Sequence, residues 1–176
     1  MQKRKIFVTA TALFLLAACN HAPSEEGHSH SPYSGQEKRI VKALSGSDVT
    51  SYLNGEGMGL AKAAELNGYP GPKHILENES ALGLSSEQKA DVQKSFGKMK
   101  DNAVDLGKQI VEKEKELDSL FSHNKIDNSM LQEKTQTIAQ LQGDLRKTHL
   151  QAHLEMMTIL SPVQIEKYNR LRGYKN

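Results

Sequence analysis

Thiols are almost absent from this chain. Its 176 residues include one cysteine, Cys19, so no intrachain disulfide can brace it and stability must come from packing. Tryptophan is missing and aromatic residues make up 5%, which argues against a thick globular core and for a thin, helical, solvent-laced body. Charge of one sign is not in excess either. The formal net charge is +2, and residues 1–18 carry Lys3, Arg4 and Lys5 with no acid, which leaves −1 on the rest. That is no basic surplus for a nucleic-acid backbone. Catalytic signatures are lacking too. "HLEMM" is not a zincin motif, since Leu154 stands between His153 and Glu155. "GEGMG" has neither the strand before it nor the Lys-Ser/Thr after it of a phosphate loop. No enzyme activity is expected, and the catalytic set is none.

The amino terminus defines an address. Lys3, Arg4 and Lys5 precede an apolar run from Ile6 to Leu16, and small residues lead to Cys19. The run is too short to span a bilayer and reads as a secretory signal. Leu16-Ala17-Ala18-Cys19 resembles the lipobox of bacterial lipoproteins. The resemblance implies cleavage before Cys19, lipidation of its thiol, and a multiply acylated, firm anchor. Asn20 would then favour the outer membrane, with the domain on the periplasmic side. The expected organisation is a signal peptide over 1–18, a flexible His- and Ser-rich tether over 19–35, and a helical domain over 36–176. His21, His28 and His30 in the tether form a compositional, weak metal-collecting tract at most.

The domain has a repeated phrase, Leu84-Ser-Ser-Glu-Gln88 and Leu160-Ser-Pro-Val-Gln164. In each, the Ser85 or Ser161 hydroxyl can cap a helix while Gln88 or Gln164 reaches back to the cap, and Pro162 suits a first helical position. After the first phrase, Val92, Phe96, Met99, Ala103, Leu106, Ile110, Leu117 and Leu120 step by three and four, with Lys113 in the one gap. After the polar "SHNKIDN", with Asp127 as cap, Leu131, Ile138, Leu145, Ala152 and Ile159 repeat every seven residues, and Lys134, Leu141, Thr148 and Glu155 hold the partner positions. The pattern predicts two helices of roughly 30–35 residues, about 45–55 Å each, folded back antiparallel along a heptad seam. Short helices are expected at Glu37–Leu44, at Asp48–Leu53 with Ser47 as cap, at Leu60–Leu66, and from Pro72 to about Leu82 with Gly83 as stop. Leu150, Leu154 and Met157 form a second apolar stripe, expected to lie under the N-terminal helices. The fold class is therefore all-α: a long antiparallel helical hairpin with short flanking helices.

Two Leu-Thr-x-x-Gln boxes in an exported, all-helical protein of this size mark the Spy/CpxP family of periplasmic proteins. This chain resembles it, with Ser85 and Ser161 where the pattern has threonine. "GMGLAKAAELNGYPGPKHILE", Gly57 to Glu77, is similar to a stretch in relatives described as periplasmic chaperones or heavy-metal sensors, and the likeness runs from about Met58 to Tyr174. The resemblance implies a curved protomer, a cradle-shaped homodimer, and ATP-independent holding of unfolded or misfolded envelope proteins. Its ZraP- and CnrX-like relatives bind transition metals through helical His, Glu and Met.

Two functions follow as expectations. The first is a chaperone-like, stress-buffering lipoprotein that needs no cofactor. Its membrane partner is reached through the lipid, and its client or dimer surface includes Leu106, Ile110, Val111, Leu117 and Phe121. The alternative is a transition-metal sensor or buffer. His149 and His153 are four apart on one helical face with Met157 in the same row, and His74 and Glu77 are three apart on another. Such donors suit Zn, Cu, Ni or Co, although a histidine in this setting is as readily a hydrogen-bonded packing residue.

Overall fold

Both Leu-Ser-x-x-Gln phrases start helices. The Ser85 hydroxyl accepts from the Gln88 N–H at 3.1 Å and the Ser85 N–H donates to Gln88 Oε1 at 3.1 Å. At the second phrase the Ser161 hydroxyl accepts from the Gln164 N–H at 3.3 Å, and the Ser161 N–H donates to Gln164 Oε1 at 2.9 Å. Each box satisfies two donors that a helix start would otherwise leave orphaned.

The computed structural model describes residues 31–174. The expected signal peptide, Cys19 and the tether histidines His21, His28 and His30 lie outside the described residues. From Gly35 onward the chain forms one unit. Its helices are α1 (Gly46–Leu53), α2 (Lys62–Glu65), α3 (Pro72–Glu77), α4 (Glu79–Leu82), α5 (Ser86–Ser122), α6 (Asn128–Ile159) and α7 (Pro162–Leu171), after a single 3₁₀ turn at Gln36–Lys38. No strand occurs among the described residues, and no helix among them is long and apolar enough to cross a membrane.

The expected hairpin is α5 and α6, of 37 and 32 residues. Asn124 takes a left-handed φ of +54° where α5 ends, a conformation asparagine tolerates. The Asp127 carboxylate accepts from the Met130 N–H at 2.8 Å to start α6. Val92, Ala103 and Ile110 from α5 and Ile138, Leu145 and Ala152 from α6 are buried along the seam. The two lysines at seam positions share one carboxylate. Lys113 Nζ donates to Glu116 at 2.6 Å and Lys134 Nζ donates to it at 2.9 Å. Towards the loop the seam opens, and Leu131 and Phe121 are exposed.

The flanking segments pack on the other end of the hairpin. Ile75, Leu82, Val92, Met156, Leu160 and Tyr168 form one buried cluster, which joins α3, α4 and α7 to α5 and α6. Higher on the hairpin, α1 crosses α5 at Gly107, where an added Cβ would stand 2.1 Å from the Tyr52 carbonyl oxygen. That closeness requires glycine.

Several expected short elements differ. Glu37–Leu44 is not a helix, because Val41 is buried among turns and only Gln36–Lys38 winds. The cap of α1 is Ser45 rather than Ser47, since Asp48 closes a box with Ser45. Helix Leu60–Leu66 shrinks to α2. The helix from Pro72 breaks at Asn78, whose side-chain amide donates to the His74 carbonyl at 2.8 Å and competes with the helical ladder. The expected second stripe is only partly covered: Leu150 is half-buried, while Leu154 is 51% exposed and Met157 is also exposed. The face of α6 that packs under the N-terminal segments carries His149, His153 and Met156, all buried.

Candidate metal centre

The two α6 histidines reach this site by their spacing. Four residues apart on one helical face, His149 and His153 are 4% and 7% exposed. His153 is oriented by the loop before α3. Its Nδ1–H donates to the Tyr69 carbonyl at 2.8 Å, which orients the ring and leaves Nε2 as the nitrogen a ligand could meet. His149 Nε2 is fully buried and has no hydrogen-bond partner among the described residues. Burial pushes the His149 pKa down from its ordinary 6.5, and the nearby His153 and Lys100 push the same way.

Glu65, at the end of α2, faces His153. Its Oε1 accepts from the Tyr168 hydroxyl at 2.7 Å, the Tyr174 hydroxyl at 3.1 Å and Arg172 Nε at 3.2 Å. Burial raises the Tyr168 pKa, and its bond to Glu65 adds to the shift. Oε2 is left over and sits 3.8 Å from His153 Nδ1. At Gly71 an added Cβ would meet Glu65 Oε2 at 3.2 Å and His153 Nε2 at 3.3 Å. The missing side chain at position 71 thus keeps a small space open beside a carboxylate oxygen and the His153 Nε2.

Glu65, Gly71, His149, His153 and Arg172 border a cavity of about 600 Å³ that His74 also lines. His74, His149 and His153 thus all border this one space. Glu77 is turned away: His74 Nδ1–H donates to it at 2.7 Å, a bond that holds the exposed Glu77 carboxyl below its usual range. Neither Glu77 nor Met157 lines the cavity. Among the described residues no three His, Cys, Asp or Glu side chains converge as a metal-binding group. Sequence spacing found both α6 imidazoles and missed Glu65, Met58 and Met99, which also border the cavity. Position held a clue to Glu65, which comes just before the "NGYP" turn whose Tyr69 carbonyl fixes His153.

In type, though not as a converging set, the donors suit a borderline or soft ion: one orphaned buried imidazole, one imidazole hydrogen-bonded through Nδ1, and a carboxylate oxygen beside an open space. Comparison with known proteins agrees with that chemistry at the level of family. No curated protein and no solved structure was found to match the chain. A family model described as heavy-metal resistance matches residues 53–167, a span that takes in α2 to α6, both boxes and the cavity-wall residues Met58, Glu65, Gly71, His74, Met99, His149 and His153, with Arg172 just beyond it. The chain belongs to the heavy-metal-resistance family.

Proposed function

We propose that this chain binds a transition-metal ion in the cell envelope, as a buffer or sensor, and that the cavity beside His149 and His153 is the binding site. The observation that carries the reading is the buried, unpartnered Nε2 of His149 one helical turn from a second imidazole already oriented through its Nδ1. An unsatisfied buried nitrogen costs free energy, and a ligand that occupied it would remove the cost. His149 and His153 would hold the ion; Glu65 and His74 border the same cavity but do not converge with them as a ready donor set. A bound ion would supply positive charge and a cross-link between α6 and the short N-terminal helices. The chain's own part is to disfavour protonation of His149 by burial, orient His153 through the Tyr69 carbonyl, and hold Glu65 by three donors so that one oxygen is spare. The apolar signal and Cys19 support an exported chain with a lipid anchor.

Calorimetric titration of the purified chain with Zn, Cu, Ni and Co tests this. Binding is expected that survives substitution of His21, His28 and His30 by alanine and is lost in His149→Ala/His153→Ala. No heat with any of the four, or binding indifferent to the α6 pair, would sink the reading.

A second reading, protein holding without ATP, is favoured by the hairpin's loop end. Phe121 is 53% exposed there, and Met130 and Leu131 are also exposed, an apolar group suited to a client or to a second copy of the chain. In an aggregation assay with an unfolding client at equal ratio, suppression that drops in Phe121→Ser supports it. No suppression by the unaltered chain discards it.

A further inference from the structure

Met58 is in a backbone conformation its side chain does not favour. In the loop between α1 and α2 its φ is +46°, between Gly55 at +56° and Gly59 at +74°. The other non-glycine residue with positive φ among the described residues is Asn124, a type that tolerates it. A methionine there is strained, and glycine would form the same turn at no steric cost. Core packing does not account for its presence, because Met58 is 41% exposed. What it does do is border the cavity of His149 and His153, with Met99 from α5.

The charges of the same wall point to the kind of ion. Lys62, Lys73, Lys100 and Arg172 line it against Glu56 and Glu65, an excess of two positive charges. Coulomb repulsion of a cation grows with its charge, so this wall opposes a divalent ion twice as strongly as a monovalent one. Imidazole and thioether donors are neutral, and thioethers select soft ions.

We infer that Met58, strained at the cavity rim, is a thioether donor that sets the site's preference for a soft monovalent cation of the Cu(I) or Ag(I) class over Zn(II). This rests on the metal reading above and adds the ion class and the residue that decides it. Met99 is the second thioether within reach of the same space.

The test uses the full chain with Cys19→Ser, which removes the one competing thiol, titrated with Ag(I) and with Zn(II) in chloride-free buffer. Ag(I) is expected to bind more tightly than Zn(II). Met58→Leu keeps the bulk and removes the sulfur. It should weaken Ag(I) about tenfold or more, since loss of even an outer-shell partner costs about 10–100-fold, and leave Zn(II) affinity nearly unchanged. Met58→Gly should show the same loss of Ag(I) affinity with a metal-free Tm at or above the parent's, which a merely structural methionine would not give. Equal effects on both ions, no effect on Ag(I), or a lower Tm in Met58→Gly overturns the inference while leaving the metal reading standing. Absence of binding by either ion in the parent overturns both.

Discussion

His149 is the residue whose placement has the clearest energetic sign. Folding takes its imidazole out of water, and burial with His153 and Lys100 nearby sets its pKa below the ordinary 6.5. The unfolded chain therefore takes up a proton there before the folded chain does. His149 contributes its full stability above about pH 6.5 and loses it progressively as pH falls toward the lowered folded value. Denaturant unfolding at about pH 7.5 and about pH 5.5 should show a loss that is smaller in His149→Leu. An identical loss in both proteins would assign the acid sensitivity elsewhere. At this scale the sequence was partly legible. The i,i+4 spacing of His149 and His153 put them on one face, because that relation is local. The partners that give the face its chemistry are not local. Tyr69 is 84 positions from His153 and Glu65 is 107 positions from Arg172, and no periodicity encodes such pairs. The expected row from His153 to Met157 fails for a local reason: Met157 falls on the solvent side of α6.

Among the elements, the two capping boxes do more than begin helices. Gln88 Nε2 donates to Gln164 Oε1 at 2.9 Å and to the Ile159 carbonyl at 2.9 Å. Gln164 Nε2 donates to Gln88 Oε1 at 3.0 Å and to the Gly83 carbonyl at 3.3 Å. Each glutamine thus closes its own cap with its oxygen and binds the other phrase with its nitrogen, in the same relation both ways. Gln88→Ala and Gln164→Ala should each cost about 1–2 kcal/mol, combining a cap bond with cross-phrase bonds. Because the two share their mutual bonds, the double variant should cost less than the sum by roughly 0.5 kcal/mol or more. Strict additivity in chemical denaturation would show that the boxes act separately. The phrases, the helices they start and the hairpin reversal were legible, since capping chemistry and heptad spacing are both short-range. The glutamine exchange was not, because only the antiparallel fold brings residues 76 positions apart into contact. The short N-terminal helices expected at 37–44, 60–66 and 72–82 were read as longer than they are, and α1 as shorter, since it begins at Gly46. Their boundaries are set by side-chain bonds such as Asn78 to the His74 carbonyl and by packing against α5, and both override propensity.

At the scale of the molecule, the long hairpin is buried unevenly. One end is covered by α3, α4 and α7 around Ile75 and Tyr168, while the loop end keeps Phe121 and Leu131 exposed. Low aromatic content anticipated this thin body, as there is too little bulk to cover both ends. The covered end also has a consequence for how the chain comes apart. One pair of amides joins the phrases that border both flanking segments, beside the Tyr168 bond to Gly71 and a shared buried cluster, so the two segments should open together. Digestion with a trace of protease should then free peptides from the stretch before Leu84 and the stretch after Leu160 at a common rate, and Gln164→Ala should hasten both together. Two unrelated rates would mean that the ends are sewn on separately.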